Sequence, residues 1–585
     1  MPFIDGARVQ FDVLVAMRDG VKLAADVYLP EGAGPFPALL CRTPYDKGAG
    51  FSQASAAHLV GNIFGPVRHG FAVVVQDTRG RHASEGDFRP FRHEAADGYD
   101  TIEWLAAQQW SNGRIGTFGA SYVGATQWLA ASASPMHLTA ICPSITGSDY
   151  FEGWAYRGGA FELGFNLSWT LSALTLRDAV SLRRRLGLKD ADEEAMIDAV
   201  DGLEAGLRAL PLTDQPLVDP AVAPYYREWL AHPTDDDYWR RWRIEDRYAE
   251  IAVPSLNVGG WHDIFLKGTI RNYLGMKARG GSEEARRGTR LVIGPWHHNA
   301  VGSNLIGATD FGMRSSNVVF DLEDLLLNWY RHWLMGEDRG VADQLPVKIF
   351  VMGVNRWRDE AGWPLERAVR TRFHLHSDGQ ANSRHGDGRL STEPPGDEQP
   401  DMYRYDPMDP VPTQGGPLCC IAPSLAAGQF DHSEKEDRQD VLVYSPTPFE
   451  RDVEVTGPVT VTLWAASSAV DTDFTAMLLD VGPCGCARNL VDGIRRARYR
   501  ESLAQAVPLA PGAVEKYEID LVATSNVFKK GHSIRVEISS SNFPRFDRNL
   551  NTGKGFDDAE VRVATNTVFH DAGRPSHITL DVVPA

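Results

Sequence analysis

Between Phe36 and Ser132 strand-forming runs alternate with helical stretches; the alternation gives way to helical texture from about Gly147 to about Glu250, and strands then resume. "FPALLCRTPYDK" (36–47) and "FAVVVQDTRG" (71–80) are short apolar runs that end in turn residues. "DGYDTIEWLAAQQW" follows them, with Ile102, Leu105 and Ala106 at helical spacing. "GRIGTFG" (113–119) then reads as a strand and "YVGATQWLAAS" (122–132) as a helix. Parallel neighbours can be joined only by a crossover long enough to hold a helix, so this order predicts an α/β architecture around a parallel sheet. The later runs "IAVPSLNVGG" (251–260) and "TRLVIGPW" (289–296), separated by helical "FLKGTIRNYLGMKA", then extend the same sheet. The helical, aromatic-rich stretch between the two halves is a cap inserted into it.

The helical segment "DLEDLLLNWYRHWLMG" (321–336) closes this part. Beyond Leu345 the texture is all-β, with short alternating runs such as "VKIFVMG", "DVEVTGPVTVTLWAAS" and "SIRVEISSS" between Gly, Pro, Asn and Asp, which predicts a sandwich or jelly roll. The polar tract from Ser377 to Gln399 is expected to be an exposed loop of that domain. A chain of 585 residues, 43% apolar, has material for about three or four domains.

Ser121 lies at the junction of the third strand and its helix. The familiar nucleophile elbow is G-x-S-x-G, whereas here Gly119 stands two before the serine and the next glycine, Gly124, three after it. An elbow needs small residues where strand and helix crowd a strained tip, and Gly119, Ala120 and Gly124 can meet that need. Neither G-x-G-x-x-G nor G-x-x-x-x-G-K-[ST] occurs, so a phosphate loop is not indicated. In α/β hydrolases the nucleophile is followed in the chain by an acid and then a histidine, each just beyond a later strand. "NVGGWHDIF" places Asp263 beyond one apolar run, and "VIGPWHHNA" places His297 and His298 beyond the next.

"GRIGTFGASYVGATQW", "PYDK", "DTRGRHASEG", "GGWHDIF" and "GPWHH" resemble the CocE/NonD acyl esterases, relatives of the X-prolyl dipeptidyl peptidases of family S15. "DVLVYSPTPFERDVEVTGPV", "DTDF", "LVDGIRRARYR" and "SSSNFPRFDRNLNTG" resemble that family's C-terminal jelly roll, so the likeness spans nearly the whole chain. The family writes its elbow G-x-S-Y-x-G, with the late glycine. The resemblance implies an α/β-hydrolase core (1–147 and 249–344), an inserted helical cap domain (148–248) and a C-terminal all-β jelly-roll domain (345–585). It implies Ser121 as nucleophile, His298 as base through the pattern G-P-W-x-H, and Asp263 as orienting acid. It further implies an oxyanion hole from the Tyr45 hydroxyl and the Tyr122 backbone N–H, and an acyl pocket lined by Trp154, Trp169 and Phe265. The predicted activity is hydrolysis of carboxylic esters with a bulky or aromatic acyl group.

An amide hydrolase of the X-prolyl peptidase or β-lactam acylase kind is the alternative. The related α-amino acid ester hydrolases carry a Glu-Asp pair shortly after the acid to hold the substrate ammonium, and Phe265 and Leu266 stand there instead. X-prolyl peptidases usually carry a further N-terminal domain, while β texture here begins almost at once. A reading from another class, a carbohydrate- or partner-binding protein with a vestigial site, competes with the intact Ser121, Asp263 and His298 set.

The net charge of −18 argues against a nucleic-acid partner, and Arg183–Arg185 reads as a solvated helix face. No apolar run is long enough to span a bilayer and the N-terminal stretch lacks a signal-peptide core, so a cytoplasmic protein without a membrane partner is expected. The expected partner is a small ester or amide, with self-association into a homo-oligomer left open and no cofactor or metal. Cys419/Cys420 and Cys484/Cys486 lack further ligands at zinc spacing and read as buried or idle thiols.

Overall fold

The computed structural model describes residues 3–48, 63–420 and 425–584. The apolar runs pair as parallel strands in the order Ala72–Asp77, Phe36–Thr43, Ser111–Ala120, Leu138–Ser144, Leu256–His262 and Arg290–His297. Ala72–Asp77 and Leu256–His262 are buried along their whole length, which is why they read as continuous rather than alternating apolar runs. Helices Glu94–Ala106, Tyr122–Ser132 and Leu266–Arg279 lie in the connections. The antiparallel strands Ala7–Ala16 and Lys22–Leu29 widen one edge of the sheet.

The chain leaves this sheet after Ser144 and rejoins it at Leu256. The excursion contains a small hairpin, Tyr156–Arg157 with Ala160–Phe161, and then helices including Leu163–Ser168, a π-helical stretch Trp169–Thr175, Asp190–Asp201 and Pro224–Ala231. Its aromatic residues form one interlocking set: Phe151 stacks on Tyr156, Phe165 on Trp169, and Trp169 on Trp229. Among the described residues no helix is long and apolar enough to cross a membrane.

Three expectations need correction. Strand Val347–Val351 lies parallel to Arg290–His297, and Arg356–Glu360 pairs antiparallel with Val347–Val351, so the "VKIFVMG" run and the short strand after it belong to the core sheet rather than to the β domain placed at 345–585. A short apolar run has the same texture in a parallel sheet and in a sandwich, and only its pairing partner distinguishes them. The polar tract 377–399 is not simply an exposed loop. Arg389–Ser391 pairs with Val369–His376, and the buried Asp401 accepts from Ser377 Oγ at 2.8 Å and from the Ala381 N–H at 2.8 Å. Finally, Cys419 and Cys420 are joined as a disulfide rather than idle thiols; as chain neighbours they need no long-range fold to meet. Cys484 and Cys486 are free.

From Val369 onward the strands form two antiparallel sheets of the jelly-roll kind. One is built around Val453–Ser467, flanked by His577–Val583, Ala564–Phe569 and Glu515–Phe528. The other runs Leu442–Tyr444, Ser533–Ser539, Asp473–Val481, Ala487–Arg496.

Candidate active site

Strand Ser111–Ala120 stops one residue before the serine, and helix Tyr122–Ser132 starts one residue after it. Ser121 takes up the whole reversal, with φ 61° and ψ −126°, a conformation costly for a residue with a Cβ. Its N–H donates to the Ser144 carbonyl at 3.0 Å, which ties the tip to the neighbouring strand. Gly119 has φ +132°, and a Cβ there would lie 2.2 Å from Val123 Cγ1. At Gly124 a Cβ would meet Thr146 Cβ at 2.7 Å and the Ser144 carbonyl oxygen at 3.0 Å. The displaced glycine thus has a physical cause: in this elbow position 124 packs against Thr146 and the Ser144 carbonyl, where a side chain has no room.

Asp263 follows strand Leu256–His262 directly, and His298 follows Arg290–His297. These strands are parallel neighbours, so both residues emerge at the same rim of the sheet as Ser121. His298 Nδ1 lies 2.7 Å from Asp263 Oδ1, and Nε2 lies 2.9 Å from Ser121 Oγ. An ionised carboxylate only accepts, so the proton sits on Nδ1 and the Nε2 lone pair faces the serine hydroxyl. Asp263 also accepts from the Phe265 N–H at 3.2 Å. His297 makes no such bridge; its Nδ1 accepts from the Asn299 N–H at 3.3 Å, and burial with His298 beside it pushes its pKa down to about 4.

The Tyr45 hydroxyl reaches the site from the loop after strand Phe36–Thr43. It accepts from Trp169 Nε1–H at 2.9 Å, which leaves its own proton to be directed elsewhere, and it contacts Ser121. Burial pushes its pKa up to about 12, with the bonds to Trp169 and Ser121 opposing that shift. Tyr122 opens its helix, so its N–H has no carbonyl one turn earlier to bind. Its phenol is occupied elsewhere, donating to Glu94 at 2.9 Å and accepting from the Phe91 N–H at 2.8 Å.

Trp154, Trp169 and Phe265 converge on the same centre. Phe265 stacks on Trp154 with ring centroids 4.3 Å apart and presents an edge-to-face contact to His298 at 5.2 Å. Trp169 packs edge-to-face on Trp154 at 5.6 Å. Among the described residues no group of three or more His, Cys, Asp or Glu side chains is placed to hold a metal ion.

Sequence reasoning missed a support for the acid loop. Arg157 Nη2 donates to the carbonyl of Ile264, next to Asp263, at 2.7 Å, while its Nε pairs with Glu162 at 3.1 Å. Glu162 in turn lies 3.5 Å from Arg545 of the C-terminal β domain, which is paired with Asp492. Arg496 there bridges Asp473 and Asp547, each at 2.9 Å. "DTDF", "LVDGIRRARYR" and "SSSNFPRFDRNLNTG" contain the β-domain members of this buried network. The signal was present as charged residues in otherwise strand-like runs, but the link to the acid loop, Glu162 with Arg545, joins residues more than 300 positions apart in the chain.

The X-Pro dipeptidyl-peptidase (S15 family) model matches residues 19–300, and that of the X-Pro dipeptidyl-peptidase C-terminal non-catalytic domain matches residues 339–579. The chain is 39% identical over 583 residues to the cocaine esterase of Rhodococcus sp. (strain MB1 Bresler), covering 98% of each. The chain belongs to the CocE/NonD family. It is a serine carboxylic-ester hydrolase. Among solved structures it is similar to an α-amino acid ester hydrolase (TM-score 0.80, 26% identity, 100% of this chain and 98% of that one). It is also similar to an aminopeptidase from a marine sediment archaeon, Thaumarchaeota archaeon (TM-score 0.80, 25% identity, 99% and 97%). In this CocE/NonD chain the match to the C-terminal domain begins ahead of strand Val347–Val351, which is built into the catalytic sheet.

Proposed function

We propose that Ser121 is the nucleophile, His298 the base and Asp263 the orienting acid of an acyl-transfer cycle acting on esters with a bulky or aromatic acyl group. The observation that carries this reading is the unbroken line from Asp263 through His298 to Ser121, at 2.7 and 2.9 Å. As Ser121 Oγ bonds to the acyl carbon, its proton passes to His298 Nε2, and Asp263 stabilises the imidazolium that results. The carbonyl oxygen becomes an oxyanion between the Tyr45 hydroxyl and the Tyr122 N–H. Collapse expels the alcohol, which takes the proton from Nε2. Water then enters, gives a proton to the same nitrogen, and releases the acid and free serine.

Tyr45→Phe removes one oxyanion donor and leaves the ring. It is expected to lower the acylation rate by about 100-fold or more, corresponding to about 3 to 4 kcal/mol. Stopped-flow acylation with a p-nitrophenyl ester checks this, and an unchanged rate removes Tyr45 from the mechanism.

Trp154, Trp169 and Phe265 support an acyl group that is itself apolar and broad. Both Phe265 and Leu266 are buried apolar side chains, so the stretch after Asp263 offers no carboxylate to a free α-ammonium, which favours an ester hydrolase over a dipeptidyl peptidase. A matched panel of p-nitrophenyl acetate, benzoate and α-amino acyl esters, with the corresponding anilides, tests this. Benzoate is expected to have the highest kcat/KM, and a preference for the α-amino acyl compounds overturns the assignment. The substrate is taken to be a small ester or amide rather than a nucleic acid or a membrane, in keeping with the charge of −18.

A further inference from the structure

Asp77 is a buried carboxylate that the cycle above does not use. It ends strand Ala72–Asp77, is fully shielded from solvent, and pairs in register with Thr43, two residues before Tyr45. One carboxylate oxygen accepts from the Lys47 N–H at 2.7 Å, and the other from the Ala83 N–H at 3.2 Å. Tyr45 therefore sits on a short arch with one foot, Thr43, paired to strand Ala72–Asp77 through the backbone, its carbonyl accepting from the Thr78 N–H at 2.9 Å, and the other, Lys47, held by the Asp77 carboxylate. The crown of the arch is also held: the Pro44 carbonyl accepts from Arg81 Nε–H at 2.9 Å and lies 3.2 Å from His82 Nε2. Asp46, next to the tyrosine, has φ 82°, a conformation that persists only when surrounding bonds impose it. A carboxylate is costly to bury, and this cost is met only if both oxygens are used. Burial pushes the Asp77 pKa up to about 7, against the pull of the Lys47 and Ala83 N–H groups.

We propose that Asp77 is a positioning residue for the oxyanion hole: it fixes the arch that carries Tyr45, so that the phenol points at the place where charge develops, and it acts on the reaction only through that phenol. The inference rests on the assignment of Tyr45 to the oxyanion hole. An oxyanion donor is useful only when held in place before the charge appears, and a displacement of about 1 Å can cost about 100-fold in rate. Asparagine at position 77 offers one accepting oxygen and one NH2 group that cannot accept, so either the Lys47 foot of the arch or the Ala83 N–H beside the Arg81–His82 turn that holds its crown loses its bond.

The test is a double-mutant cycle of Asp77→Asn with Tyr45→Phe, using a p-nitrophenyl ester at about pH 8.5, where the native carboxylate is charged. Asp77→Asn alone is expected to lower kcat by about 10- to 100-fold with KM within about twofold; in the Tyr45→Phe background it is expected to lower kcat by less than about twofold. A purely structural role would instead multiply the same loss into both backgrounds, and that outcome, or a native kcat for Asp77→Asn, overturns the proposal while leaving the oxyanion hole intact. If Tyr45→Phe alone keeps the native rate, the oxyanion reading fails first and Asp77 has nothing to position. Should Asp77→Asn not fold, His82→Asn decides the matter. It keeps a residue tolerant of the φ of 46° at that position and shortens the side chain away from Pro44. A loss of a few-fold that disappears with Tyr45→Phe supports the arch, and an equal loss in both backgrounds, or none, refutes it.

Discussion

Ser121→Ala is expected to lower kcat by about a millionfold and to abolish covalent labelling by a fluorophosphonate, with the thermal midpoint close to that of the native protein. The magnitude follows from the members of such a set acting as one unit: removing the nucleophile alone costs about 10⁶ in kcat, and the remaining catalysis comes from the oxyanion donors and from binding. Stability should change little because the strained backbone at φ 61° is held by the Ser121 N–H bond to Ser144, which alanine retains. Turnover and labelling measured on the same preparation decide the point. Labelling that persists in Ser121→Ala would move the nucleophile elsewhere and leave the molecule as a binding protein at this site.

Asp263→Asn is expected to lower kcat by about 10⁴-fold with KM little changed. Asp263 is buried, and its Oδ1 can only accept from His298 Nδ1–H at 2.7 Å. The asparagine amide can turn its NH2 toward that nitrogen, which then becomes the acceptor and leaves the ring proton on Nε2. A protonated Nε2 faces Ser121 Oγ at 2.9 Å and cannot take its hydrogen. The geometry survives while the tautomer is wrong, so substrate binding and folding should be close to native, and pre-steady-state acylation should carry the whole loss. A loss of tenfold or less would mean that Asp263 does not set the tautomer.

Part of this site was legible because its signals are local. A catalytic loop at the carboxyl end of a parallel strand follows an apolar run and precedes a helix, and Ser121, Asp263 and His298 each stand at such a junction. The choice between His297 and His298 was open to physics at that level. Consecutive side chains leave a strand on opposite faces, and nothing in "GPWHH" says which face Ser121 lies on. In the fold it is His298 that lies within hydrogen-bond reach of both Asp263 and Ser121, while the His297 Nδ1 accepts from the Asn299 N–H.

The amino-acid sequence by itself determined the α/β class, the interruption by a helical cap, the β-rich C-terminal half and the order of the three junction residues, because strand and helix periodicity and the residues that end them are written over a few neighbouring positions. Only the tertiary structure decided that Val347–Val351 joins the catalytic sheet, that Arg157 links the acid loop to Arg545 of the β domain through Glu162, and that the Asp77 carboxylate holds the Lys47 foot of the Tyr45 arch. Those are contacts between distant segments, and a hydrogen bond or ion pair of that kind depends on how whole elements pack, which no local window of residues encodes.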